Sequence, residues 1–155
     1  RSPVAPSKGV DAWFGLDDLA RFWPTADFIV VSVPLTQQTT GIVGAAAFAA
    51  MKRSAVVVNV GRGPTVDEQA LFDAQSSQRI SGAIIDTWYQ YATPTQAECA
   101  PSQLDFASLP NVVMTPHMSG WTSGTVRRRQ QTMADNISRL ASGRPLQNVL
   151  KPASL

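Results

Sequence analysis

One arginine in this sequence stands where a ligand could reach it. Arg62 lies between Gly61 and Gly63, shortly after the apolar, β-branched run 55–58. Such a run is typical of a buried parallel strand, and the two glycines allow a sharp turn and the close approach of a ligand. Because a guanidinium is a planar fork of donors, Arg62 could hold a carboxylate or a phosphate. Taken alone, it could equally be a surface arginine in a tight turn.

An aspartate and a histidine stand at the ends of two later apolar runs. Asp86 follows residues 82–85, and a carboxylate buried there must be paired or hydrogen-bonded, because its burial costs on the order of several kcal/mol. His117 is the only histidine, and near neutral pH it could give or take a proton. Each of the two could instead be purely structural. One histidine and one cysteine cannot form a typical zinc site, so we expect no metal.

Alternating strand and helix patterns place these residues at one edge of a sheet. We predict strands at 26–33, 55–60, 82–88 and 112–115, and helices at 16–22, 40–51, 67–76 and 122–140. This alternation predicts an α/β fold with a parallel sheet and helices on both faces. Ligands of such sheets bind beyond the carboxyl ends of the strands. The residues expected at that edge are Pro34, Arg62, Asp86 and His117.

The composition fits one globular domain of ordinary size. The 155 residues are 44% hydrophobic and 15% charged, with a formal net charge of +2, so neither disorder nor nucleic-acid binding is indicated. A single cysteine, Cys99, allows no internal disulfide, and no secretory pattern opens the sequence. The longest apolar run is about half the length of a membrane helix. We therefore expect a cytoplasmic protein with no membrane or nucleic-acid partner.

Several short motifs follow one another in a specific order. They are Val33-Pro34-Leu35-Thr36-x-x-Thr39, Asn59-Val60-Gly61-Arg62-Gly63, Gly82-Ala83-Ile84-Ile85-Asp86 and Asn111-Val112-x-x-Thr115-Pro116-His117. In this order they resemble the D-isomer-specific 2-hydroxyacid dehydrogenases. The resemblance implies a Rossmann-like domain, with residues 1–150 as part of the nucleotide-binding domain and 151–155 as the start of the return to a substrate domain. No Gly-x-Gly-x-x-Gly segment is present, so it would precede Arg1, which suggests a fragment that binds dinucleotide poorly and is inactive on its own.

The same resemblance implies a chemistry and a set of site residues. The enzyme would transfer hydride between NAD or NADP and a small 2-hydroxy or 2-oxo acid, and it would be a homodimer. Arg62 would hold the substrate carboxylate, and His117 would act as acid and base at the carbonyl oxygen. Asp86 would accept a hydrogen bond from the cofactor carboxamide. The other residues implied to bind the cofactor are Val33, Pro34, Thr39, Val60, Gly61 and Gly120, together with Arg62 and His117 themselves.

One position departs from the family pattern. The family usually pairs the histidine with a glutamate, and Tyr91 occupies that place here. A phenol is neutral near pH 7 and supports an imidazolium far less than a carboxylate does. Either another acid such as Glu98 substitutes, or the histidine stays neutral through most of the cycle. Two other functions therefore stay open: an NAD-dependent formate dehydrogenase-like enzyme, which needs no proton transfer to oxygen, and a non-catalytic module for NAD sensing or dimerisation.

Overall fold

The computed structural model describes residues 8–150, which fall into two compact units. The first unit ends at His117 and the second begins at Met118. The predicted segment 151–155 lies outside the described residues, and the predicted domain boundaries stay predictions. Among residues 8–150, every helix is too short or too polar to cross a membrane. The cytoplasmic location also stays a prediction.

Four parallel strands form one sheet in the first unit. They are β1 (Phe28–Val31), β2 (Val56–Asn59), β3 (Gly82–Ile85) and β4 (Val112–Met114), and they lie side by side in chain order. Their register aligns the last residue of each strand, because Val31 pairs with Asn59, Asn59 with Ile85 and Ile85 with Met114. All four strands therefore end in a single row, and the loops that follow them start from the same edge.

Four α-helices accompany the strands in the described part of the chain. They are α1 (Leu19–Phe22), α2 (Ala45–Ala50) and α3 (Glu68–Ser76) in the first unit, and α4 (Ser123–Ala141) in the second. Asp67 begins α3 as predicted, since its carboxylate accepts a hydrogen bond from the Ala70 N–H at 2.8 Å. Thr122 begins α4 in the same way, by accepting from the Thr125 N–H at 3.1 Å. Short 3₁₀ turns lie at Leu16–Asp18, Gly63–Thr65 and Phe106–Ser108.

One face of the sheet carries the core of the first unit. Its strand residues are buried and pack with Phe48 of α2 and Leu71 of α3. These strand residues are Ile29, Val31, Val57, Ala83 and Ile85. The opposite face carries the exposed apolar side chains of Phe28, Val30, Ile84 and Val113. The predicted parallel sheet with helices is confirmed, and in residues 8–117 the fully buried apolar side chains of the strands lie on the face that packs with α2 and α3.

Most of the elements are shorter than the sequence predicts; β1, for example, spans Phe28–Val31 rather than residues 26–33. The helix expected from residue 40 begins only at Ala45, because Gly41 has a φ of +62°, which an α-helix does not contain. The third strand ends at Ile85 rather than at residue 88. Beyond Ile85, the Trp88 N–H donates to the Tyr91 hydroxyl and the Tyr89 N–H donates to the Pro101 carbonyl. These two backbone groups are therefore not available for pairing with a neighbouring strand.

Candidate functional site

The predicted site residues lie in the loops that leave the row of strand ends. Arg62 is three residues beyond the end of β2, Asp86 directly follows β3, and His117 is three residues beyond β4. Because the strand ends are aligned, these loops rise from neighbouring positions along one edge. The predicted convergence on this edge therefore agrees with the register of the sheet.

A buried asparagine and a buried threonine hold the loop of Arg62. Asn59 donates from Nδ2 to the Arg62 carbonyl at 3.1 Å and accepts at Oδ1 from the Gly61 N–H at 3.1 Å. The Thr65 hydroxyl donates to the same Arg62 carbonyl at 2.6 Å. Sequence reasoning missed both residues, although a polar residue at the end of an apolar strand could have pointed to Asn59. The backbone of the loop is thus fixed by side chains of its own segment.

The Arg62 side chain itself is exposed. Its Nη1 donates to the carbonyl of the preceding residue, Gly61, at 2.7 Å. A guanidinium has five N–H donors, so this single bond leaves a fork that can face a carboxylate. The arrangement fits the anion-binding role that the sequence suggests for Arg62.

Two glycines let the loops touch one another. A Cβ built on Gly61 would lie 2.9 Å from the Val33 carbonyl oxygen, and one built on Gly63 would lie 2.2 Å from the Trp88 carbonyl oxygen. Contacts of a real Cβ below 3.0 Å are essentially never observed. The loops after β1, β2 and β3 are therefore in backbone contact, and this contact requires glycine at both positions.

A cavity of about 450 Å³ opens where β1 and β2 end. Its lining includes five of the residues predicted to bind the cofactor, which are Val33, Pro34, Val60, Gly61 and Arg62. Ser32 and Leu35 complete the lining. The structure therefore brings this predicted set into one concave surface at the expected edge of the sheet.

Thr39 and Gly120 have different surroundings. Thr39 is buried, and its hydroxyl donates to the Pro34 carbonyl at 2.6 Å, so this side chain holds the loop after β1. Gly120 belongs to the second unit, where it lies in an exposed turn before α4. Contacts of either residue with a cofactor stay predictions.

Asp86 is fixed between two strand ends. It is 2% exposed, and the Thr115 hydroxyl donates to its Oδ1 at 2.5 Å. The indole Nε1 of Trp88 donates to the Thr115 carbonyl at 2.9 Å, so the loops after β3 and β4 are tied together. Asp86 thus has the hydrogen-bond partner that its burial requires, as the sequence predicts.

His117 lies at the surface beside a tyrosine. The Tyr91 hydroxyl is 3.0 Å from Nδ1 of the imidazole, and it also accepts from the Trp88 N–H at 2.8 Å. Among the described residues, Glu98 forms no ion pair with the histidine. The structure therefore does not show Glu98 in the place of the family's glutamate.

A second tyrosine lies deeper in the first unit. Burial, together with the charges of Glu68 and Asp67, raises the pKa of Tyr89 well above its ordinary value of 10.0. The Tyr89 hydroxyl has no hydrogen-bond partner among the described residues. Within residues 8–150, no group of three or more His, Cys, Asp or Glu side chains is arranged to hold a metal ion.

The chain is similar in sequence to a known family of dehydrogenases. The family model of the D-isomer specific 2-hydroxyacid dehydrogenase NAD binding domain matches residues 4–119. The chain is 36% identical over 140 residues to glyoxylate/hydroxypyruvate reductase B of Enterobacter agglomerans, and the match covers 90% of this chain and 40% of that protein. The chain thus spans less than half the length of the curated reductase.

Two solved structures are similar in fold. A D-isomer specific 2-hydroxyacid dehydrogenase from Xanthobacter autotrophicus Py2, in complex with NADPH and MES, gives a TM-score of 0.75 at 33% identity over 98% of this chain and 59% of that chain. The D-lactate dehydrogenase of Lactobacillus jensenii with NAD+ gives a TM-score of 0.74 at 29% identity over 86% of this chain and 42% of that chain.

Proposed function

Because this chain belongs to the D-isomer specific 2-hydroxyacid dehydrogenase family, we propose that it is part of an enzyme that transfers hydride between NAD or NADP and a small 2-hydroxy or 2-oxo acid. The observation that carries the proposal is the single row of strand ends, from which the loops of Arg62, Asp86 and His117 all start. The chain spans 40% of the related reductase, so the activity is proposed for the longer protein that would contain it.

The residues at the strand ends fit a dinucleotide. The cavity beside Val33 and Gly61 has a volume within the range of small-molecule sites. Solved relatives hold NADPH and NAD+, which supports the same class of cofactor here. When bound, the cofactor would supply or accept the hydride. Asp86, held by Thr115, would accept a hydrogen bond from the carboxamide and thereby orient the ring.

Arg62 and His117 would act on the substrate. Reduction of a 2-oxo acid develops negative charge on the carbonyl oxygen, and a nearby cation and proton donor stabilise that charge. The Arg62 guanidinium would hold the carboxylate of the acid, and His117 would give its proton to the oxygen. In the oxidative direction His117 would take the proton from the hydroxyl. The products of reduction are the 2-hydroxy acid and NAD(P)+, which balances one hydride and one proton.

The test is steady-state turnover in the full-length protein that contains this chain. Loss of two charged hydrogen bonds costs about 3–6 kcal/mol, so Arg62→Ala should lower kcat/KM for glyoxylate or hydroxypyruvate by about 150-fold to 25,000-fold. His117→Ala should lower kcat by about 100-fold or more. Arg53→Ala is the matched control, since Arg53 is exposed and precedes β2, at the other end of that strand.

Three results would refute parts of the proposal. Unchanged rates in Arg62→Ala or His117→Ala would remove the role assigned to that residue. Production of NADH from formate and NAD+, without turnover of any 2-oxo acid, would favour the formate dehydrogenase alternative. Cofactor binding without turnover of any of these substrates would favour a non-catalytic module.

We also propose that the protein is a homodimer that uses α4. None of the 19 residues of this helix is buried. Met133, Ile137 and Leu140 are exposed apolar residues at spacings of four and three, so they lie on one face of the helix. An apolar stripe of this kind is suited to pairing with a second copy of the chain.

A further inference from the structure

We propose that Tyr91 is a positioning residue for His117: its phenol holds the imidazole at Nδ1, so that Nε2 is the nitrogen that exchanges a proton with the substrate. This inference rests on the proposed function of His117. It assigns a role to an exposed tyrosine whose neutral hydroxyl would otherwise have no place in the chemistry.

The donors and acceptors around the Tyr91 hydroxyl support this role. A phenol oxygen has one hydrogen to donate and two lone pairs that accept. The Trp88 N–H fills one lone pair at 2.8 Å, and the imidazole Nδ1 is 3.0 Å away. The second lone pair can therefore accept from an Nδ1–H. Tyr91 is 49% exposed, so its hydroxyl hydrogen can be donated to water while the oxygen accepts from Nδ1–H.

The hydroxyl is well placed because its neighbours are fixed. Trp88 is buried, and its indole donates to the Thr115 carbonyl at 2.9 Å. Thr115 lies two residues before His117, so the tryptophan and the histidine are tied to the same short segment. The Tyr91 and His117 rings are 5.5 Å apart between centroids, which adds a packing contact to the hydrogen bond. The phenol therefore contacts His117 from a loop that is anchored to the histidine's own strand end.

The backbone of His117 also indicates that its position is held from outside. Its φ is +57°, in the left-handed region, where a residue other than glycine costs about 1–2 kcal/mol. The contact with Tyr91 can contribute to offsetting this cost.

The Tyr91 hydroxyl can bond to Nδ1 whether or not that nitrogen carries a proton. When the imidazolium releases the Nε2 proton to the substrate oxygen, Nδ1 keeps its own proton and continues to donate to the Tyr91 hydroxyl. When the neutral ring instead has a bare Nδ1, the phenol can donate to it. Tyr91 can thus keep one ring orientation in both protonation states without adding a charge, which a carboxylate partner cannot do.

The first test measures the 15N resonance of the His117 ring at Nδ1. In the full-length protein labelled with 15N-histidine, the His117 ring is assigned by the loss of its signals in His117→Gln. Tyr91→Phe should shift the Nδ1 resonance and leave the fold intact. Tyr89→Phe is the matched control, because it deletes the hydroxyl of the other tyrosine, which has no hydrogen-bond partner among the described residues. An Nδ1 resonance that is the same in wild type and Tyr91→Phe would overturn the proposal.

The second test is turnover. Loss of a partner that orients a reacting imidazole should lower kcat by about 10-fold to 100-fold, while KM for the 2-oxo acid, set by Arg62, stays unchanged. Tyr91→Glu restores an acceptor for Nδ1–H and should recover part of the rate of reduction. A kcat that falls without any Nδ1 shift, or an unaltered kcat in Tyr91→Phe, would contradict positioning. If the wild type turns over no 2-oxo acid but Nδ1 still shifts, the pairing stands and the proposed reaction fails.

Discussion

A methyl group at Gly63 tests whether the loops after β2 and β3 are held in backbone contact. The added Cβ would lie 2.2 Å from the Trp88 carbonyl oxygen, 2.5 Å from its carbon and 3.0 Å from the Tyr89 nitrogen. Ordinary contact for such atoms begins at 3.4 Å. One of the two loops must therefore move by about 1 Å to accept Gly63→Ala.

Neither loop can move without losing other contacts. On one side, the carbonyl of Arg62 is held by Asn59 and Thr65. On the other, Trp88 is buried and bonded to Thr115. Overpacking costs typically about 1–3 kcal/mol, and because the crowded atoms are backbone we expect a loss near the upper end, about 3 kcal/mol. A 1 Å displacement of Arg62 should also lower kcat/KM by about 100-fold.

The assay is urea unfolding followed by tryptophan fluorescence, with turnover measured on the same samples. Gly15→Ala is the matched control, because a Cβ at Gly15 meets nothing within 4 Å and its φ is −77°. We expect Gly15→Ala to change the free energy of unfolding by less than about 0.5 kcal/mol. The reasoning fails if Gly63→Ala and Gly15→Ala unfold at the same urea concentration and have equal kcat/KM.

Two further predictions concern stability at high pH and assembly. Since burial beside Glu68 and Asp67 raises the pKa of Tyr89 above 10.0, the folded state holds the phenol proton more tightly than the unfolded chain; the resulting stability is present below pH 10 and lost as pH rises beyond it. Urea titrations at increasing alkaline pH should therefore show a smaller loss for Tyr89→Phe than for wild type, and equal losses would contradict the cause. For assembly, Ile137→Asp in the full-length protein should give a monomer in sedimentation, whereas the adjacent control Ser138→Asp should stay dimeric; a monomeric wild type would exclude the dimer.

Local sequence was enough to predict the main elements of the fold. The β-branched run before Arg62 and the apolar run before Asp86 predicted β2 and β3, because strand pattern is a property of consecutive residues. The start of α2 could not be predicted in this way. Alanine propensity favoured a helix from residue 40, but Gly41 adopts a left-handed φ and Thr39 bonds back to Pro34, so the turn prevails over propensity.

For the candidate site too, the sequence predicts some features and not others. Its principal residues could be predicted, because polar residues at the ends of parallel strands must share one edge. The bonds that hold them could not, since Trp88 and Thr115 are 27 positions apart and only the folded sheet brings them together. The sequence likewise predicted that Tyr91 would be a weaker partner than a carboxylate, but not that its hydroxyl would contact Nδ1.

Burial separates the residues that build this edge from those proposed to act on a ligand. Asn59, Thr65 and Asp86 are buried, and each bonds to another part of the loops, as a buried polar group must to avoid a cost of about 1–3 kcal/mol. Arg62 and His117 are exposed. A carboxylate would then bind to the Arg62 N–H groups that the bond to the Gly61 carbonyl leaves free. The loop backbone is already fixed, so little ordering cost would oppose that binding.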